Sequence, residues 1–305
     1  MAVWIVAGRM AIINIGRNMA EIFYLAEVFR RFCENTGYEN NWKEFKKLYL
    51  EPNKENLAPL MKLNFLWEAG IKSLFKKTDL NSYKDMFKRL DQWGYPERIF
   101  NTLEKAESVL GRKIPAQINL FFTLRGIVDG VTVYHKGVPY IYIGLDYPAE
   151  KKEYFDLVTA HELAHAARDT SPGVMEAYNG RIKMNHIKLL SITPFIEHTI
   201  GEGIATAFSE CLFPNLPPWE YLFYGKPAYR WCEEHFEEIY KKIDKIKNDR
   251  GNLFRFYRKS SLMKGSPGRE DYYLGYKSAK KALQKHSIKE VIRMRAEKVY
   301  AFLNV

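Results

Sequence analysis

His161-Glu162-Leu163-Ala164-His165 sets two imidazoles four residues apart, with a carboxylate directly after the first. On a helix, residues at that spacing share one face, so both rings can reach a single metal ion. Glu162 is then turned about 100° from His161. Its carboxylate stands beside the ion rather than on it, where it can take a proton from a water. Two imidazoles suit zinc, and a catalytic zinc site keeps one position open for water. From Leu157 to Ala167 every residue outside the motif is small or apolar, as a buried active-site helix requires. The competing reading is a pair of core or surface histidines with no metal.

Such a site needs a third ligand. Asp169 lies four residues after His165, so on the same helix it points along the axis and does not close the site. No histidine follows His165 at a short spacing. The best candidate is Glu202, between glycines in the apolar stretch Ile200-Gly201-Glu202-Gly203-Ile204. A carboxylate buried there is costly unless something positive compensates it, and zinc would. The glycines would let its helix approach the first one closely. Glu197, His198 and Glu176 are the rivals.

At this point the sequence resembles a family. His161-Glu162-x-x-His165 followed by Gly201-Glu202-Gly203-Ile204-Ala205 looks like the gluzincins, zinc peptidases whose third ligand is a glutamate. It resembles in particular a bacterial group of predicted zinc-dependent proteases of uncharacterised function. These share the G-E-G motif and a later Gly/Tyr-rich helix, matched here by Tyr272-Tyr273-Leu274-Gly275-Tyr276. The resemblance runs over roughly Ile114 to Leu283. It implies a small sheet with an edge strand over a cleft, followed by two zinc-bearing helices. It also implies one Zn2+ ion, Glu162 as general base, and a phenol or imidazole steadying the oxyanion. Tyr272 and Tyr276 are the candidates for that last role, with Tyr273 and His198 as rivals. One position departs from the pattern. Where thermolysin-like enzymes carry an aspartate that orients the first histidine, this chain has Thr206. Either Glu210, Glu176 or Asp169 takes that role, or the metal is held less tightly.

The elements that must position these residues are read from periodicity. Glu21 to Phe32, Leu57 to Phe75, Asn81 to Trp93 and Pro96 to Leu110 carry apolar residues at helical spacing. Met1 to Ile15 reads as a buried strand, with Met10 as a conceivable alternative start. Gln117 to Leu124, Gly130 to His135 and Tyr140 to Leu145 read as strands, the last two joined as a hairpin. Tyr140 to Leu145 is either a substrate-binding edge or an interior strand. A helix starts near Ala149 to Glu153 and carries the motif through Arg168. Prolines from Pro194 to Pro267 break the C-terminal part of the chain into helical pieces. The fold class is therefore α+β. A helical region over residues 1–110 precedes a zincin-like domain over 111–305.

Composition narrows the function. Aromatic residues make up 15% of the 305, which predicts a core rich in Phe and Tyr. No apolar run approaches the ~20 residues needed to cross a bilayer. Cys33, Cys211 and Cys232 form no CxxC pair, as befits a reducing compartment. That places the chain in the cytoplasm, with secretion as the open alternative. The net charge of +11 is concentrated: Lys241 to Lys298 holds 18 Lys and Arg against 6 Asp and Glu, a balance of +12. Such a region either contacts an anionic partner or forms solvated helix faces. Three functions remain: a peptidase acting on peptide or protein substrates, a zinc hydrolase with another substrate, and a binding or regulatory protein that uses the basic region.

Overall fold

The structure is a computed structural model that describes residues 12–14, 20–63, 68–177, 186–251 and 261–304. It is mixed α+β, and its contacts divide the chain into two compact units. The first comprises Met1–Glu104 and Lys113–Thr159; the second comprises Lys105–Arg112 and Ala160–Val305.

The first unit holds a five-stranded sheet among the described residues: β1 (Ile12–Asn14), β2 (Glu21–Tyr24), β3 (Gln117–Phe121), β4 (Gly130–His135) and β5 (Val138–Gly144). Their order is β1-β2-β3-β5-β4. The β2–β3 and β3–β5 pairs are parallel and the outer pairs antiparallel. Ile118, Leu120, Ile141 and Ile143 are fully buried in the central strands. Parallel strands covered on both faces read as nearly continuous apolar runs, which explains these sequences. Lys136 and Gly137 connect β4 to β5 at φ 51° and 81°, the two left-handed positions of a type I′ hairpin turn.

Helices α1 (Leu25–Asn35), α2 (Trp42–Phe45), α3 (Lys54–Leu63), α4 (Glu68–Lys76) and α5 (Tyr83–Trp93) complete this unit, with the start of α6 (Glu97–Leu110). Its core is aromatic, as the composition predicts. Phe29, Phe32, Phe45, Phe75, Tyr83, Phe87 and Phe122 pack ring on ring.

Several expectations are corrected here. Glu21 to Phe32 is not one helix: its first four residues are strand β2, and α1 begins at Leu25. β2 lies between β1 and β3, a pairing that local periodicity cannot register. The chain does not divide at 110/111, because β3, β4 and β5 group with the N-terminal helices. Of the two readings of Tyr140 to Leu145, the interior strand holds, since β5 lies between β3 and β4. Of the expected N-terminal strand, Ile12–Asn14 is strand and the remainder, Met10 included, lies outside the described residues. The middle of the helix expected over Leu57 to Phe75 also lies outside them.

Helix α7 (Glu153–Asp169) groups with the first unit through Thr159 and with the second from Ala160. The second unit continues with α8 (Pro172–Ala177), α9 (His186–Ile192), α10 (Phe195–Leu212), α11 (Pro218–Tyr221), α12 (Lys226–Glu234), α13 (Phe236–Ile246), α14 (Glu270–Leu283), α15 (Ile288–Val291) and α16 (Ala296–Ala301). The most extensive helix pair here is α10 with α14. They cross at glycines: a Cβ on Gly203 would fall 1.9 Å from the Gly275 carbonyl carbon, and one on Gly275 would fall 1.9 Å from the Thr199 carbonyl oxygen. Only residues without side chains allow backbones so close.

Candidate metal centre

Helix α7 carries His161, Glu162 and His165, and α10 carries Glu202. A buried ion pair joins the two helices. Arg168 donates from Nε and Nη2 to the two carboxylate oxygens of Glu197 at 3.1 and 3.0 Å. Its remaining nitrogen, Nη1, donates to the carbonyls of Ile292 and Met294. Arg168 lies three residues past His165, and Glu197 five before Glu202, so the pair fixes the register in which the candidate ligands face each other.

The three predicted ligands converge. His161 Nε2 lies 3.0 Å from Glu202 Oε2 and 3.2 Å from His165 Nε2; His165 Nε2 lies 3.4 Å from the same carboxylate oxygen. Bonds of about 2.0–2.1 Å opened at the tetrahedral angle would separate donor atoms by about 3.3 Å. The triangle therefore has the dimensions of one face of a zinc tetrahedron, and the donors are two imidazoles and a carboxylate. It is also the one cluster of His, Cys, Asp or Glu able to hold a metal ion among the described residues. The side chain of His165 is 18% exposed, against 7% and 8% for His161 and Glu202, so solvent reaches the site beside His165.

The acidic and basic groups of the cluster shift one another's titration. Burial pushes the Glu202 carboxyl up, but His165, His161 and His198 outweigh it and hold the group well below the usual carboxylate range. Burial pushes His165 down; Glu202 overrides it, with Glu162 and Asp169 adding to the effect, and the imidazole titrates at about 9. His198 is likewise raised against its burial, by Asp271 and Glu202.

The other sequence candidates separate clearly. Glu162 is buried one position past His161. Tyr272 stands at the centre: its ring lies parallel to His161, at 8° and 6.2 Å between centroids, and edge-on to His198 at 6.3 Å. Tyr276 does not. Its hydroxyl donates to Glu210 at 2.8 Å, and Glu210 lies eight residues, about 12 Å, along α10 from Glu202. One helical turn carries Tyr276 away from the ligands instead of toward them. Tyr273 is buried against Tyr229 and Phe236. Glu197 is held by Arg168 and Glu176 is exposed, so neither joins the ligands. Thr206 donates to the Glu202 backbone carbonyl at 2.9 Å, so it does not orient a histidine. Glu210 is taken by Tyr276 and Lys280. His161 Nδ1 is buried and has no hydrogen-bond partner among the described residues.

Two contributors escaped sequence reasoning. Asp271 binds His198 Nε2 at 2.9 Å; in the sequence it is only an acid in the first turn of a helix. Phe223 sets its ring edge-on to His161, with centroids 5.6 Å apart, from left-handed backbone at φ 53°. Nothing local signals that conformation in a bulky residue.

A family model described as "putative zinc dependent peptidase (DUF5700)" matches residues 11–305. The chain belongs to this family. No curated protein and no solved structure matches it. Membership in DUF5700 accords with the donor set above, and the match takes in the N-terminal third, which the sequence resemblance left uncovered. Among the described residues of this DUF5700 chain, no helix is long and apolar enough to cross a membrane.

Proposed function

We propose that the chain is a one-zinc peptidase of the gluzincin type, with a zincin-like metal centre formed by His161, His165 and Glu202. The observation that carries this reading is the convergence of three donor atoms, from two helices, at 3.0, 3.2 and 3.4 Å. Zinc, when bound, supplies a Lewis acid that polarises the scissile carbonyl and makes water acidic. The remaining steps belong to the chain. Glu162 accepts a proton from the attacking water and delivers it to the departing amine nitrogen. The Tyr272 hydroxyl donates to the carbonyl oxygen as negative charge grows on it. His161 and His165 enter as neutral donors, so the proton on His165 leaves when the ion binds.

The substrate is a peptide or unfolded protein. Family membership favours this over a non-peptide substrate. It also outweighs the regulatory reading built on the basic region, where Lys247 and Lys280 pair with Asp244 and Glu210.

The test is purified protein with metal analysis, given an unfolded protein substrate. Wild type should hold one zinc and cleave, and a chelator should stop it. Glu162→Gln should keep its zinc and lose at least 100-fold in rate, within the usual range for a general base of about 10²–10⁴. Cleavage by Glu162→Gln at the wild-type rate would remove the assigned mechanism.

A further inference from the structure

A metal-binding carboxylate has two equivalent oxygens and a free torsion, so something must decide which oxygen faces the ion. In this chain the two oxygens of Glu202 have different surroundings. Oε2 faces His161 and His165; Oε1 lies 3.6 Å from Nδ1 of His198. His198 sits one turn before Glu202 on α10, and its side chain is only 6% exposed. Its other nitrogen, Nε2, donates to Oδ2 of Asp271 at 2.9 Å, and the Asp271 side chain is only 8% exposed. Asp271 comes from the first turn of α14, which the Gly203–Gly275 crossing brings against α10.

We propose that His198, anchored by Asp271, is a positioning residue that holds Glu202 so that one oxygen alone faces the two histidines. This rests on the metal centre proposed above and adds a function for two residues outside it. Asp271 fixes the His198 ring, and that ring, 3.6 Å from Oε1 and without a hydrogen bond to it, limits the carboxylate torsion before any ion arrives. It does for the carboxylate ligand what a hydrogen bond to the distal nitrogen does for a histidine ligand, and here the distal nitrogen of His161 has no such partner among the described residues. Adjacent positions on α14 then serve two ligands: Asp271 acts on Glu202 through His198, and Tyr272 lies along the His161 ring.

The test uses the full chain and zinc or cobalt(II) alone. Zinc dissociation constants are measured by chelator competition for wild type, His198→Gln, Asp271→Asn and Glu202→Gln. Visible absorption of the cobalt-loaded proteins reports coordination, because cobalt(II) bands weaken as coordination number rises. Wild type should bind one ion in a four-coordinate spectrum. His198→Gln and Asp271→Asn should each bind about 10- to 100-fold more weakly, the usual effect of losing a residue that supports a ligand. Their cobalt bands should weaken as the freed carboxylate engages through both oxygens. A merely structural role would lower folded yield and leave the spectrum of the folded fraction unchanged. If His198→Gln fails to fold, Asp271→Asn, which keeps the side-chain shape, decides alone. Unchanged affinity and spectrum in the folded variants overturn the proposal while leaving the centre intact. Wild type and Glu202→Gln binding zinc equally would overturn the centre itself.

Discussion

In protein stripped of metal, His165 and Glu202 satisfy one another, and zinc must compete with that pair. The folded pKa of His165, about 9, stands above its unfolded value. The stability this pairing gives the stripped protein is therefore complete below about 6.5 and fades as pH rises through about 9. Zinc needs the neutral ring, so apparent zinc affinity should rise about tenfold per pH unit up to about 9 and then level off. Competition titrations across that range would show it; a flat profile between pH 7 and 9 would refute it. Tyr272 gives a second prediction at this scale. Tyr272→Phe keeps the ring beside His161 and removes the hydroxyl. The rate constant should fall by about 10²–10³, the usual range for losing an oxyanion donor, with KM and zinc content little changed. Equal losses in both kinetic terms would point to packing instead. Single residues were the most legible level of this chain. Four-residue spacing on a helix is local, so His161, Glu162 and His165 could be paired from sequence. Glu202 could be chosen because an isolated acid in an apolar stretch needs a partner. Asp271 and His198 meet across 73 residues, and neither residue's neighbourhood announces the other.

Helices α10 and α14 depend on each other through two hydrogen atoms. The Cβ of Gly203→Ala would lie 1.9, 2.2 and 2.4 Å from backbone atoms of Gly275. Alanine favours a helix over glycine by about 1 kcal/mol, but ordinary contact needs about 3.5 Å, so the helices would have to part by about 1.5 Å. Overpacking of this kind costs about 1–3 kcal/mol, and here rigid backbone takes the strain. Gly203→Ala should therefore be less stable than wild type in urea unfolding. It should also bind zinc more weakly, because α14 carries Asp271 and Tyr272 to the site. A variant as stable and as tight as wild type would contradict the crossing. Of the glycines around Glu202, Gly201 faces α7, where a Cβ would lie 4.0 Å from His165 Cε1, while Gly203 marks a much tighter approach to α14. The family resemblance tied α14 to the site through its tyrosines, but not through a crossing of Gly203 with Gly275. At the sheet, Ile22, Phe23 and Tyr24 are all buried, and a short buried run has no period that separates strand from helix.

At the scale of the molecule, the helical N-terminal third is not a detachable module. β2 pairs with β3 in register from Glu21 with Gln117 to Tyr24 with Leu120. A fragment of residues 111–305 would leave β3 with an unpaired, apolar edge and remove most of the aromatic core around Phe29 and Phe45. It should aggregate or melt without a cooperative transition, as scanning calorimetry or urea titration would reveal. A stable, zinc-binding fragment would restore the two-part division expected from sequence. That boundary was illegible because a sheet is completed by strands far apart in the chain, and composition changes only where the later strands begin. One residue also sets the whole molecule's stability against its chemistry. Phe223 occupies left-handed backbone beside His161, where glycine would sit without strain. Any search that rewards heat resistance alone should drift toward glycine at this position and remove the ring beside His161; on the function proposed above, tougher descendants of this chain would be poorer catalysts.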